Sequence, residues 1–291
     1  MLTSRFPPAG RDVSRLGFGG AAIGLTNYIG AYDAAAPATR DAAVQTVRLA
    51  LEGGVTYFDT APGYGQGLSE EIMGEALAGA GGVVLATKAP LSAAGDVRAS
   101  LEASLRRLRR DRVDLLQIHG GSYEPDVVRA ILAPGGMLEQ MVRLKEEGLA
   151  GSLGFTSEDN NAAVYELIGS GGFDAMQISY NLLLQHPCEP TRPFGSLFEA
   201  RKHGLFTVAM RATTSGIFQK WMRLANPDDR FDYVPALIQF VLSNKLVDVA
   251  LVGMRSASDV ESSVRTWRDE GGRIDVEALW GRYVAAAPAA L

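Results

Sequence analysis

The sequence predicts an α/β fold, a (β/α)8 TIM barrel, organised as a single domain over residues 1–291. Three observations predict it. Eight short apolar or β-branched runs alternate with longer helical patterns, as strands and helices do around a parallel sheet. The runs begin about 30 residues apart, so eight units match a barrel of about 250 residues with extensions. Each run is apolar along most of its length, which is how strands buried on both faces read. An open doubly wound sheet is the competing arrangement, and residue chemistry has to separate the two.

The elements follow in order. The first strand lies around Arg15 to Gly20, with a long loop from Leu25 to Thr39 behind it and a helical pattern from Arg40 to Leu51. Val55 to Phe58, β-branched and aromatic, is the second strand, followed by a helix over Ser69 to Leu77. Val83 to Thr87 is the third. The helix after it, Val97 to Leu108, carries Leu101, Leu105 and Leu108 on one face. Val113 to Ile118 is the fourth, and the helical stretch from Asp126 to Glu147 is split by Pro134-Gly135-Gly136. Leu149 to Phe155 and Phe173 to Ser179 are the fifth and sixth, followed by a loop with three prolines from Leu183 to Pro193. Leu205 to Met210 is the seventh. A helix over Val234 to Leu242 leads to the eighth, Val247 to Val252. A last helix, Val276 to Val284, precedes an Ala/Pro tail.

Bulk composition excludes several classes. A net charge of −5 does not suggest a nucleic-acid binder, which is usually basic. The one basic cluster, Arg106 to Arg112, reads as the solvated last turn of a helix, where cations suit the dipole. The single cysteine, Cys188, cannot form an intrachain disulfide and fits a reducing cytoplasm. No signal-peptide pattern opens the chain. The apolar stretch from Leu237 to Met254 is broken by Gln239, Asn244, Lys245 and Asp248, so no membrane span is expected. The expectation is a soluble cytoplasmic protein acting on small molecules, with no nucleic-acid or membrane partner and an oligomeric state left open.

In a barrel, chemistry sits where strands end at the C-terminal rim. The second run ends in Asp59, the third in Lys88 and the fourth in His119, with Tyr64 five residues past Asp59 in a Gly/Pro loop. Taken singly, such residues are turn, cap, solvated or packing groups. Together on one rim they form a proton-transfer set. A tyrosine hydroxyl near pKa 10 is expected to be lowered by a neighbouring ammonium. Lys88 can supply that charge, Asp59 can orient Lys88, and His119 can hydrogen-bond a substrate oxygen. The set serves a carbonyl/alcohol pair, and such chemistry requires a hydride cofactor. The loops after the seventh and eighth runs carry Arg211, Thr213, Ser215 and then Gly253, Arg255, Ser256, with a helix from Ser258. Hydroxyls, amides and guanidinium groups at helix N-termini are good phosphate ligands. The alternative is that they are only turns and N-caps.

These residues resemble the aldo-keto reductase superfamily. Phe58-Asp59-Thr60-Ala61-Pro62-Gly63-Tyr64-Gly65, running on to Leu68-Ser69-Glu70, is similar to the family's FDTAxxYG…SE signature. Thr87-Lys88 resembles its TK, and Asp114-Leu115 through His119 its DL…H. The resemblance spans about Val13 to Trp267. It implies the barrel fold and NAD(P)-dependent carbonyl reduction or alcohol oxidation. Tyr64 would be the acid/base, Asp59 and Lys88 its tuning pair, and His119 the group orienting the substrate. Gln177 and the pair Thr156-Ser157 match positions holding the nicotinamide carboxamide, the pair replacing a frequent Ser-Asn. Gly19 and Gly20 match positions where backbone nears the cofactor. Ser262 and Ser263 replace a frequent Glu-Asn near the adenine. Arg255 favours NADP(H), with NAD(H) the alternative, because Asp259 stands where some relatives place an arginine and would repel a 2′-phosphate.

Rival readings remain. Gly17-Phe18-Gly19-Gly20 with Gly24 nearly matches a dinucleotide fingerprint, but a loop follows it rather than a helix. A catalytically silent cofactor-binding relative, and a sugar- or pyridoxal-type dehydrogenase acting mainly in oxidation, are the functional alternatives. A metal hydrolase built on His186, Cys188 and Glu189 lacks a second ligand pair, so no metal is expected.

Overall fold

Eight parallel strands close on one another in a computed structural model that describes residues 1–7, 10–28, 30–188 and 194–286. The strands are β1 (Thr3–Phe6), β2 (Arg11–Ser14), β3 (Leu16–Gly19), β4 (Tyr57–Asp59), β5 (Val84–Pro90), β6 (Val113–His119), β7 (Ala150–Ser157), β8 (Ala175–Ser179), β9 (Phe206–Met210) and β10 (Val249–Val252). β3 to β10 form the barrel in chain order, and β10 pairs with β3 to close it. The predicted (β/α)8 barrel is therefore the fold. Helices Pro37–Glu52, Leu68–Ala76, Val97–Leu108, Met137–Glu146, Ala162–Gly169, Ser196–Lys202, Val234–Ser243 and Ala257–Arg268 follow the eight barrel strands. The break at Pro134-Gly135-Gly136 separates Pro125–Leu132 from Met137–Glu146. Among the described residues no helix is long and apolar enough to cross a membrane. Residues 189–193 of the proline-rich loop, Glu189 among them, and the tail at 287–291 lie outside the described residues.

Side chains alternate across each strand, and the two faces bury different sets. Phe18, Phe58, Leu116, Ile118, Phe155 and Ile178 face the helices in the larger core. Tyr57, Val84, Ala86, Leu115, Ala175, Val208 and Val249 fill the lower barrel interior. The strands thus read apolar throughout because both faces are buried at the bottom. Near the C-terminal ends the inward face turns polar. Gly148 (φ 82°) and Gly204 (φ 73°) end helices in the left-handed conformation and feed β7 and β9.

Two features were not legible as local patterns. β1 and β2 form an antiparallel hairpin whose Phe6 and Val13 plug the bottom of the interior. Phe6 meets Phe206 edge-on at 5.1 Å. The arginine cluster is a helix end as expected, with Arg106, Arg109 and Arg112 exposed, but two of its members are not simply solvated. Arg107 bonds the buried carboxylate of Glu70 at 2.7 Å and 2.6 Å. Arg110 donates to the carbonyls of Leu77 (2.6 Å) and Ala80 (3.3 Å). Arg107 thus ties helix 97–108 to the first turn of helix 68–76, and Arg110, just past that helix, holds the segment that follows helix 68–76.

Candidate active site

Asp59 ends β4, Lys88 sits two residues before the end of β5, and His119 ends β6. Parallel register places Asp59 beside Ala86, Lys88 beside Gln117 and Pro90 beside His119. Period two then aims Asp59, Lys88, Gln117 and His119 inward above the apolar plug. Tyr64 arrives from the β4 loop. That loop is set by close approach: a methyl on Gly24 would sit 2.7 Å from the Tyr64 carbonyl, and one on Gly65 would strike the carbonyl of Gly24. Gly65 also has φ 69°.

The charged pair is wholly buried. Lys88 Nζ donates to Asp59 Oδ1 (2.6 Å) and to the Thr60 carbonyl (2.7 Å). The same ammonium lies 4.9 Å from the centre of the Tyr64 ring, and that ring meets His119 edge-on at 5.6 Å. Burial works to lower Lys88, but Asp59 and Tyr64 outweigh it and hold the ammonium above its ordinary range. Burial pushes Asp59 up, against the pull of Lys88 and the bonds from Gln117 and Gln177. Burial and the Lys88 charge press His119 down to about 4, so the imidazole is neutral at pH 7. Tyr64 differs from the sequence expectation: its hydroxyl is raised, because burial exceeds the opposing effect of Lys88.

A cavity of about 260 Å3 opens above this set. Gly19, Asp59, Tyr64, Lys88, His119, Thr156, Gln177, Arg211, Thr213, Ser215 and Gly253, all expected at the site, line it. Leu25 and Tyr28 of the long first loop, with Glu158 and Met210, also line it. Arg211 forms an ion pair with Glu158, and the Tyr28 hydroxyl lies 3.3 Å from Ser215 Oγ. A second cavity of about 290 Å3 shares Thr213 and Gly253 and adds Arg255, Asp259, Ser262 and Ser263.

Three expected positions are placed otherwise. Gly20 lines neither cavity. A methyl there would meet Ser69 Oγ at 2.5 Å and the Asp59 carbonyl at 2.8 Å, so the glycine admits helix 68–76 rather than a ligand. Ser157 Oγ is spent on the carbonyls of Gly121 (3.2 Å) and Asp159 (3.1 Å), and Ser157 also lines neither cavity. Ser256 is the N-cap of helix 257–268, in a capping box with Asp259. Asp259 Oδ2 accepts from the backbone N–H of Arg255 (2.8 Å) and Ser256 (3.1 Å), so a carboxylate already occupies those amides. For Ser256 the cap alternative holds.

Arg255 donates from Nε to the Ala22 carbonyl (2.8 Å) and stacks on Tyr32 at 4.0 Å. Its Nη2 is buried and finds no partner among the described residues. Thr156 Oγ1 lines the first cavity but bonds the Gly120 backbone at 2.6 Å and 3.0 Å. Gln117 was missed by the sequence reading. The signal was present: it is the one polar residue inside Leu115-Leu116-Gln117-Ile118, two positions before His119 and therefore on the same face.

The sequence model of the aldo/keto reductase family matches residues 15–237. The aldo-keto reductase YhdN of Bacillus subtilis (strain 168) is 29% identical over 294 residues, covering 94% of this chain and 82% of its own length. L-galactose dehydrogenase of Arabidopsis thaliana is 28% identical over 289 residues, covering 88% of this chain and 84% of its own. An aldo/keto reductase of Klebsiella pneumoniae, solved with NADP and acetate, superposes with TM-score 0.72 at 22% identity over 96% of this chain and 93% of its own. A holo-form aldo-keto reductase of Bacillus halodurans gives 0.73 at 22% identity over 99% and 97%. The barrel, the strand-end residues and a family match covering most of the chain agree, and this protein belongs to the aldo/keto reductase family.

Proposed function

We propose that the chain is an NADP(H)-dependent oxidoreductase that interconverts a small carbonyl compound and its alcohol, with Tyr64 as the acid/base. One observation carries this reading: the ammonium of Lys88, buried and salt-bridged to Asp59, sits against the Tyr64 ring below a cavity that also receives His119. The cofactor fits the residues present. The unpartnered Arg255 Nη2 is a donor for a phosphate oxygen, and Gly19 leaves the cavity floor without a side chain. Arg255, Thr213, Ser215, Gly253, Ser262 and Ser263 would hold the dinucleotide across the two cavities, with Gln177 and Thr156 at its nicotinamide end. When bound, that group supplies or accepts the hydride.

The chain's own residues handle the proton. Tyr64, kept protonated by burial, donates to the carbonyl oxygen during reduction. Lys88 stabilises the tyrosinate that results, and Asp59 keeps Lys88 charged and aimed. Neutral His119 orients the substrate oxygen without adding a charge. A sugar-oxidising role is the second reading. It is supported by the polar rim of Tyr28, Glu158 and Arg211 and by similarity to L-galactose dehydrogenase.

The test follows NADPH and NADH oxidation over aldehydes, ketones and sugars, with the reverse direction alongside. Tyr64→Phe is expected to retain cofactor binding, read by fluorescence quenching, and to lose turnover by about 10²-fold or more. Unchanged turnover in that variant removes the acid/base assignment.

A further inference from the structure

Asp59 has two carboxylate oxygens, and only one is used by Lys88. Oδ1 takes the ammonium, while Oδ2 accepts from Gln117 Nε2 at 3.1 Å. Gln117 is fully buried on β6, one strand beyond Lys88. Its second N–H points to Gln177 Oε1 at 3.3 Å. A carboxylate can only accept, so the amide nitrogen must face Asp59. The amide oxygen is left buried with no donor among the described residues. A buried acceptor without a partner carries a desolvation cost, and a sequence optimised for stability alone would place an apolar residue here. Gly154 makes room for the side chain: a methyl there would lie 3.2 Å from Gln117 Cγ. The strand has accepted an unsatisfied group to keep a donor on Asp59.

We propose that Gln117 is a positioning residue of the acid–base relay, clamping Asp59 so that Lys88 stays charged beneath Tyr64. This rests on the assignment of Tyr64 as the acid/base. Asp59 has Lys88 before it on β5, Tyr64 above it from its own loop, Tyr57 below it on β4 and His119 beyond Lys88 on β6. Lys88 alone among these brings a positive charge. With Gln117 removed, Asp59 keeps Lys88 and the contact with Gln177 but loses the donor on Oδ2. The carboxylate is then easier to protonate, and Lys88 loses its counter-charge as pH falls.

Gln117→Leu and Gln117→Glu distinguish this role from simple packing. The Asp59 carboxyl is followed on the resting enzyme by infrared pH titration, with Asp59→Asn as the blank, and kcat and KM are profiled against pH. In Gln117→Leu the Asp59 band is expected to protonate about one pH unit higher than in the wild type. The acid limb of kcat should move with it, kcat should fall about 10- to 100-fold, and KM should stay within about twofold. Gln117→Glu should act oppositely. The introduced acid donates to Asp59 while protonated and repels it when ionised, so activity holds at low pH and falls as pH rises. An identical Asp59 titration in the wild type and in whichever variants fold overturns the proposal, even if the melting temperature drops. Turnover of Tyr64→Phe is measured beside them, and its survival would instead overturn the acid/base reading on which this rests.

Discussion

Asp259 is a residue whose meaning changed once its neighbours were known. Its charge alone suggests repulsion of a phosphate. In the structure its carboxylate is turned back onto the Arg255 and Ser256 amides, completing a capping box. It therefore closes the N-terminal end of helix 257–268 with an anion of its own, and leaves the buried Arg255 Nη2 without a partner among the described residues beside the second cavity. Asp259→Ala is expected to cost about 1 kcal/mol of stability through loss of the cap. Freeing two amides and removing a negative charge should tighten NADPH by about fivefold while leaving NADH nearly unchanged. Parallel fluorescence titrations with the two nucleotides check this. At Tyr64, a nearby ammonium does lower the phenol, but at this enclosed site desolvation is the larger effect and the net direction reverses.

Elements are joined by polar contacts as well as by apolar faces. Glu70, the glutamate of the Ser-Glu signature, is completely buried in the first turn of helix 68–76. It accepts from Thr87 Oγ1 at 2.6 Å, immediately before Lys88 on β5, and from Arg107 on helix 97–108. One carboxylate thus locks two helices to the strand that carries the ammonium. Arg107→Ala leaves that charge buried without its cation and should cost about 3 kcal/mol or more. Adding Glu70→Gln to the same variant should restore part of the loss, which denaturant unfolding of the single and double variants would measure. The segment after β9 shows a different kind of tension. Arg211, Thr214 and Ser215 all have positive φ, at 57°, 58° and 50°. Such backbone is strained for non-glycine residues and gathers at ligand sites. The Arg211–Glu158 ion pair and the Tyr28–Ser215 contact hold this segment across the cavity mouth.

For the whole molecule, closure is the decisive event. The barrel stacks an apolar layer, plugged by the β1–β2 hairpin, beneath a polar layer that faces the cavity. Phe6→Ala should open the bottom of the interior and cost about 3–5 kcal/mol in equilibrium unfolding while leaving kcat unchanged, since Phe6 is at the opposite end from Tyr64. Much of this architecture was legible in the sequence, because alternation of apolar runs and 3.6-period stretches is a local property of the chain. The strand ends at Asp59 and His119, the helix at 97–108 and the break at Pro134-Gly135-Gly136 were all readable in that way, whereas the third strand runs two residues past Lys88 to Pro90. The hairpin was not, because its two strands are four residues each and earn their burial only from Phe206 and Tyr57 of the barrel. The Asp59–Lys88 pair was readable, but the Gln117 partner of Asp59 and the Glu70–Arg107 pair were not, since they join residues dozens of positions apart in the chain. Local pattern specified the repeating unit, the family signature and most of the side chains that reach the rim. Packing in three dimensions settled which of them line a cavity, which serve as caps or packing, and in which direction burial moves their protons. Desolvation and long-range hydrogen bonding depend on what surrounds a group in space, and no local pattern encodes that.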